Sequence, residues 1–483
     1  MDKNNIIGFS LIAAVLIGYY IWSQPSAEQV ATQKQKDSIE NVARMKAENA
    51  AKLAAQQKTA QAKAAAEADT TALFYAALQG KAQDVTLKNK DLSLTLNTKG
   101  GVVTKAVIKN FEDRNDNKDV TLFDGKTQSL NFALAAKSVN INTADLYFTP
   151  SESTDSTVTM TAEAGKGKAL IIRYRLGSDY MLHTQLQAVG LGGDFAPSAT
   201  QMDVQWKDLI RQQERGFTFE NRYSSLTYHK ADGGTDYLSE AKEVKGETIE
   251  KKIDWVAFKN QFFSAVMIAK NDFAENAVMT SIPQEKGSGY LKQYEAKMKT
   301  FFDPTGATPS EFDFYFGPND FRLLKRIEKE CSFNKDLEMQ RLVYLGWPLF
   351  RIINRWFTIY VFDFLTGLNI NMGIVLILIT LLLKLITYPM VKKSYMSSAK
   401  MRVLKPKLEE ATKHLNKPED QMQKQQAMMA EYSKYGVSPL SGCLPMLIQM
   451  PIWIAMFNFV PNAIQLRGES FLWIKDLSTY DPI

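Results

Sequence analysis

Residues 372–391 read MGIVLILITLLLKLITYPMV. As a helix this run reaches about 30 Å, the thickness of a bilayer's hydrocarbon core. A chain carrying it must bury it in lipid or in a large apolar core. The run contains one charge, Lys384, with no acidic residue near it in sequence. A lysine at bilayer depth costs about 2.5 to 3.5 kcal/mol on insertion scales and is normally kept only where it faces protein or a water-filled cavity. Thr380, Lys384 and Thr387 stand at i, i+4 and i+7, so they share one side of the helix as a polar stripe. The competing reading is that Lys384 snorkels toward the end at Val391, about 10 Å of helix away.

Two further apolar runs bracket the chain's organisation. Ile6 to Trp22, IIGFSLIAAVLIGYYIW, follows Asp2 and Lys3 and ends in bulky Tyr19, Tyr20 and Trp22. That ending favours an uncleaved anchor over a cleaved signal peptide. Residues 443–460, CLPMLIQMPIWIAMFNFV, supply another span with Pro445 and Pro451 inside it. Prolines in a span imply a polar or water-accessible neighbour for the freed backbone groups. The overall 45% hydrophobic content hides this segregation, which marks a soluble domain held by membrane segments. A net charge of +6 is too small and too spread to argue for nucleic acid, and two cysteines, Cys331 and Cys443, define no disulfide framework.

Between these runs the texture changes twice. Residues 25–80 are rich in Ala, Gln, Lys and Glu without an apolar stripe, which describes a solvated helix or tether, with a coiled-coil partner site as the sharper alternative. Residues 81–320 alternate with period two between Gly, Asp and Asn turns, the pattern of a large antiparallel β-sandwich. Its histidines, His183 and His229, have neither metal-ligand spacing nor a nucleophile beside them in sequence and read as scaffold. The sandwich shows no carboxylate pair and no histidine placed beside one, which argues against a sugar-active enzyme. No phosphate-binding GxxxxGK[ST] loop is present.

Residues 347–365 form an amphipathic helix within a 321–370 linker. Arg351, Asn354 and Arg355 fall on one face, with Phe350, Ile353, Phe357, Tyr360 and Phe364 broadly opposite. Such a helix suits the membrane interface. Ten Lys and Arg against five acidic residues lie between Lys392 and Pro439, which places that segment in the cytoplasm. With Met1 also cytoplasmic, the anchor and the 371–391 span make the required even number of crossings, so the 347–365 helix lies on the membrane without crossing it. Within 392–439, Met401, Leu404, Leu408, Ala411 and Leu415 recur at helical spacing, Pro418 breaks the pattern, and Met422, Met429 and Tyr432 resume it. This describes an antiparallel hairpin. Its methionines, Met401, Met422, Met428 and Met429, either pack the hairpin or offer a deformable apolar surface to varied partners.

The segments TYPMVKKSYMSSAKMRVLKPKL, YGVSPLSGCLPMLIQMPIW and FLWIKDLSTYDP resemble the membrane core of the YidC/Oxa family of protein insertases. GGVVTKAVIKNF, DWVAFKNQFF and YFGPNDF look like the large periplasmic domain of its Gram-negative members. The resemblance covers nearly the whole chain apart from the tether. It implies a multi-domain, multi-pass protein of the bacterial inner membrane. Its parts are an anchor (1–24), a tether (25–80), a periplasmic sandwich (81–320), a linker and interfacial helix (321–370) and a transmembrane helix (371–391). A cytoplasmic hairpin (392–439), a second core helix (440–461) and a periplasmic loop (462–483) follow. The implied activity is insertion and folding of nascent membrane proteins, alone or beside the Sec translocon, with the lipid bilayer and the ribosome as further partners and no cofactor. Clients would pass from the hairpin into a hydrophilic groove bearing Thr380, Lys384 and Thr387. Two departures stand out. The family usually carries Arg where this chain has Lys384, which removes bidentate carboxylate recognition. Its core also has five spans, so the resemblance implies three more beyond Ile483. A transporter or channel is the competing class, but nothing suggests an inverted repeat or paired broken helices.

Overall fold

The computed structural model describes residues 73–137, 140–238, 244–331, 333, 335–413, 421–436 and 444–479. The N-terminal anchor, the tether as far as residue 72, and the Pro418 break lie outside them. From Ala76 onward the described chain forms one compact unit.

Strands run from Asp84 to Pro318, and the described pairings are antiparallel. The first four, Asp84–Lys88 through Asp119–Phe123, make a small meander. The others form a large sheet that folds over itself into two layers. Gln128–Ala135, Gln201–Arg211, Tyr290–Phe301 and Ala277–Pro283 belong to one layer, and Lys168–Leu176, Met181–Val189, Ser310–Pro318, Phe263–Phe273 and Ile253–Lys259 to the other. The layers meet through side chains: Trp206 stacks on Phe258 at 3.9 Å, and Phe132 lies 5.4 Å from Phe312. They join at the pair Phe273 and Thr300. Gln201–Arg211 shows why alternation was legible, since its even-numbered side chains from Met202 to Ile210 are buried and most of the others exposed. Ile253–Lys259 is buried at every position, because it is covered on both faces. One cover is the 335–345 segment, whose Leu337 carbonyl accepts from Trp255 Nε1 at 2.7 Å.

The helix Phe321–Glu330 starts on Asp320, whose Oδ1 accepts from the Leu323 amide at 2.6 Å as an N-cap. Pro348–Ile353, a π-turn over Asn354–Thr358 and Ile359–Thr366 come next as one continuous rod. Met372–Thr412 is the one helix among the described residues long and apolar enough to cross a membrane. It runs through Pro389 and Pro406 without ending. Leu444–Phe459 packs beside it and against the 348–353 helix. Gln421–Lys434 lies along the far end of the long helix.

The π-turn changes the expected amphipathic pattern. An extra residue in the turn shifts the helical register of every residue after it. Asn354 is buried, and its Nδ2 donates to the Leu345 and Ala455 carbonyls at 3.1 and 2.8 Å. It therefore joins the core instead of a solvent-facing polar face. Phe350, Ile353 and Phe357 are half-buried, and the exposed apolar row is Leu349, Ile352, Trp356, Tyr360 and Phe364.

Candidate functional site

The long helix and Leu444–Phe459 enclose a cleft of about 300 Å³. Leu383, Lys384, Thr387 and Tyr388 line it from one side, and Gln449, Ile452 and Trp453 from the other. The helix repeat explains the placement, since 384, 387, 388 and 391 recur at three and four and so share a stripe. Thr387 is buried, and its hydroxyl donates to the Leu383 carbonyl at 2.9 Å and the Lys384 carbonyl at 3.3 Å. Its own polarity is thus satisfied within the helix. Lys384 is exposed at the cleft. Thr380, a turn away, does not line the cleft, and its hydroxyl donates to the Leu376 carbonyl at 2.8 Å. The structure therefore brings Lys384 and Thr387 together with Gln449, which the sequence reading had not singled out. Gln449 and Asn458 interrupt the apolar 444–459 run much as Lys384 interrupts 372–391, and the same test would have found them.

The four methionines separate into two pairs. Met401 and Met428 pack with Tyr432 against buried Leu404 and Leu408. Met422 and Met429 are 73% and 58% exposed. One pair fills the contact between the helices, and the other presents soft apolar surface.

A second polar centre fixes the sandwich to the helical part. Arg467 Nε meets Glu214 Oε1 at 2.6 Å with both side chains buried, and the guanidinium lies 5.0 Å from the Phe263 ring. Glu220, beneath it, accepts the Gln213 and Glu214 amides. Burial, then the Glu214 charge, raises its pKa well above the carboxylate range. Gln261 Nε2 donates to the Pro461 carbonyl at 2.6 Å, and Gln465 Nε2 to the capping Asp320 at 2.5 Å. Arg322 pairs with Asp363 at 2.5 Å and covers the Tyr360 ring.

The structure corrects the expectation that no histidine sits beside a carboxylate. His183 Nδ1 lies 2.7 Å from Asp313, and His229 Nδ1 3.0 Å from Asp254. Lys335 bridges Asp254 and Asp272, while Glu338 is held by Arg341. These partners are far apart in sequence, which hides them from any motif. His229 and Asp254 are buried, with Lys335 standing between Asp254 and Asp272 at the edge of the cluster, and among the described residues no His, Cys, Asp and Glu group could hold a metal.

A helix long and apolar enough to cross a membrane, with a cleft lined by a lysine and a glutamine beside it and buried polar contacts to a large β-sandwich, describes an integral membrane protein. The comparisons make the class specific. The YidC periplasmic domain model matches residues 84–360, and the 60Kd inner membrane protein model matches 364–483. The membrane protein insertase YidC of Phocaeicola vulgatus is 50% identical over 485 residues, covering 100% of this chain and 77% of that protein. The membrane protein insertase YidC of Bacteroides fragilis is 45% identical over 483 residues, with the same coverage. The chain belongs to the YidC family of membrane protein insertases. Among solved structures, an active YidC insertase is 17% identical over 82% of this chain and 76% of its own, with a TM-score of 0.28. A galactose mutarotase related enzyme from Lactobacillus acidophilus is 9% identical over 49% of this chain and 97% of its own, at 0.32. Scores this low carry no argument, and the family rests on the sequence relatives.

Proposed function

We propose that the cleft beside Lys384 receives segments of nascent membrane proteins and lowers the cost of moving their polar parts into the bilayer. The carrying observation is a lysine and a glutamine that line one cleft from two helices whose 372–391 and 444–459 runs are mostly apolar. Neither residue gains from lipid, and both gain from a hydrated or polar client. The reading agrees with what the named relatives do and requires no bond-making chemistry.

The topology that serves this function places 25–370 in the periplasm and 392–439 in the cytoplasm of a multi-pass inner-membrane protein. The 392–439 segment meets the client first, the 347–365 helix lies on the periplasmic surface, and residues 443–460 cross. Thr380 extends the polar side of the span, Met422 and Met429 contact the client, and the Sec translocon and the ribosome act as partners. The test is insertion of a single-span client by the purified full chain in sealed vesicles without ATP. Protease protection of the client's translocated tail is the expected result. Equal protection in vesicles lacking the protein would overturn the proposal.

A further inference from the structure

Where the sandwich meets the 348–353 helix the chain encloses a cleft of about 440 Å³. Arg222 stands at its rim, Lys259 lies in its floor, and Arg351 and Arg355 enter from the helix. Among the described residues, Arg222, Arg351 and Arg355 make no ion pair, whereas neighbouring Arg341 is held by Glu338 at 2.6 Å. Lys259 is buried and spends its ammonium on the Tyr223 carbonyl at 2.7 Å. Burial and then Lys292 push the Lys259 ammonium down to about 7. Burial and then Arg341 likewise lower Arg351. Like charges gathered in a half-buried cleft oppose one another, and an anion placed among them would relieve that opposition.

The mouth of the cleft indicates which anion. Trp347 and Pro348 line it, and Trp347 is 72% exposed. From there the exposed row Leu349, Ile352, Trp356, Tyr360 and Phe364 continues along the helix. A basic cavity opening onto an apolar track matches a molecule with a charged head and a hydrocarbon tail. Guanidinium forks suit phosphate oxygens, and arginine stems lie readily along apolar surface while the head stays polar. An acidic peptide would use the arginines but would leave the track unexplained.

We propose that this cleft seats the phosphate of an anionic phospholipid from the leaflet on which the 347–365 helix lies. The inference rests on the interfacial placement of that helix in the proposed topology. Binding of one such lipid would pin the sandwich and the helix to the membrane surface together, since the phosphate is shared between Arg222 on one side and Arg351 and Arg355 on the other.

The test uses the purified full chain in neutral detergent, offered short-chain phosphatidylglycerol, short-chain phosphatidylcholine, inorganic phosphate or an acidic peptide, with bound ligand counted by native mass spectrometry. One phosphatidylglycerol should bind at least tenfold more tightly than phosphatidylcholine. The pair Arg351→Gln with Arg355→Gln should lose that preference at least tenfold, Arg222→Gln should weaken it without altering the helix, and Arg351→Lys should keep most of it. Equal binding by wild type and the Gln variants would overturn the site, as would inorganic phosphate or the peptide binding as tightly as the lipid. Placement of the helix is read separately, from a fluorophore on Trp356→Cys quenched by bromolipid in vesicles. Quenching with an unchanged lipid preference in the Gln variants defeats the lipid site alone, and absence of quenching defeats the interfacial placement as well.

Discussion

At the scale of single residues, Lys384 is a point charge at a cleft lined by Thr387 and Gln449. A client carboxylate a few ångströms away would gain about 4 kcal/mol at an effective dielectric near 20, before desolvation is subtracted. Lys384→Arg should therefore be tolerated, because the charge is kept and no fork geometry was in use. Lys384→Glu should impair clients with acidic translocated tails more than otherwise identical clients with neutral tails. Insertion of such paired clients measures this, and equal insertion of both by Lys384→Leu and Lys384→Glu would reduce Lys384 to a snorkelling residue. Asp208 offers a second test, on stability. It is buried on the strand Gln201–Arg211, its Oδ1 has no partner among the described residues, and burial pushes its pKa up to about 8. Between the unfolded carboxyl's pKa and about 8 the folded chain holds a proton that the unfolded chain has lost. Asp208's contribution to stability is therefore fully present below about 4 and is lost as pH rises to about 8, by at most about 1.4 kcal/mol per unit. Asp208→Asn should make that decline shallower, seen as a smaller fall in thermal midpoint from pH 5 to pH 8.5 than in the parent chain, since buried Glu220 keeps part of the slope; an unchanged slope would exclude Asp208 as a cause.

Elements were legible where one periodicity decides them. The alternation of Gln201–Arg211 and the apolar length of 372–391 each follow from a single environment acting along the whole segment. The 348–366 rod departs from its expected pattern because its π-turn shifts the register, and nothing local announces a π-turn in INRWFT. What stabilises it is distant: Asn354 reaches the Ala455 carbonyl, a partner 101 residues away. The His229 and Asp254 pair, 25 residues apart, was hidden for the same reason. The long helix and its companion Gln421–Lys434 allow a sharper experiment on the methionines. Met401→Ala with Met428→Ala should loosen the Leu404 and Leu408 contact, costing on the order of 1 to 2 kcal/mol per side chain, less than a fully buried methionine would. Met422→Ser with Met429→Ser should leave that contact intact and reduce crosslinking to nascent clients several-fold. Crosslinking unchanged in the exposed pair would mean that clients use another surface.

At the scale of the whole molecule, the proposed sidedness predicts that cysteines introduced at Ser153 and Lys413 react from opposite sides of a sealed membrane. Labelling of both from one side would reject it. The sandwich and the segment after Leu444–Phe459 also meet through a buried charge pair, Arg467 with Glu214. Removing one member of such a pair strands the other, at a cost of about 3 to 5 kcal/mol. Arg467→Leu should therefore lower stability far more than Glu214→Gln paired with Arg467→Leu, and thermal unfolding of the single and double variants measures the difference.

That pair joins residues 253 positions apart, and the separation matters during synthesis. Glu214 leaves the ribosome long before Arg467 exists, and on the proposed topology two crossings separate them. The sandwich must therefore wait, with its acidic group unanswered, until the segment that carries Arg467 arrives on the same side. A chain that threads Leu444–Phe459 in the wrong orientation delivers Arg467 to the opposite compartment, and the vacancy at Glu214 persists. On the proposed topology, the buried pair couples closure of the outer domain to threading: Glu214 gains its partner only when Arg467 reaches the same side.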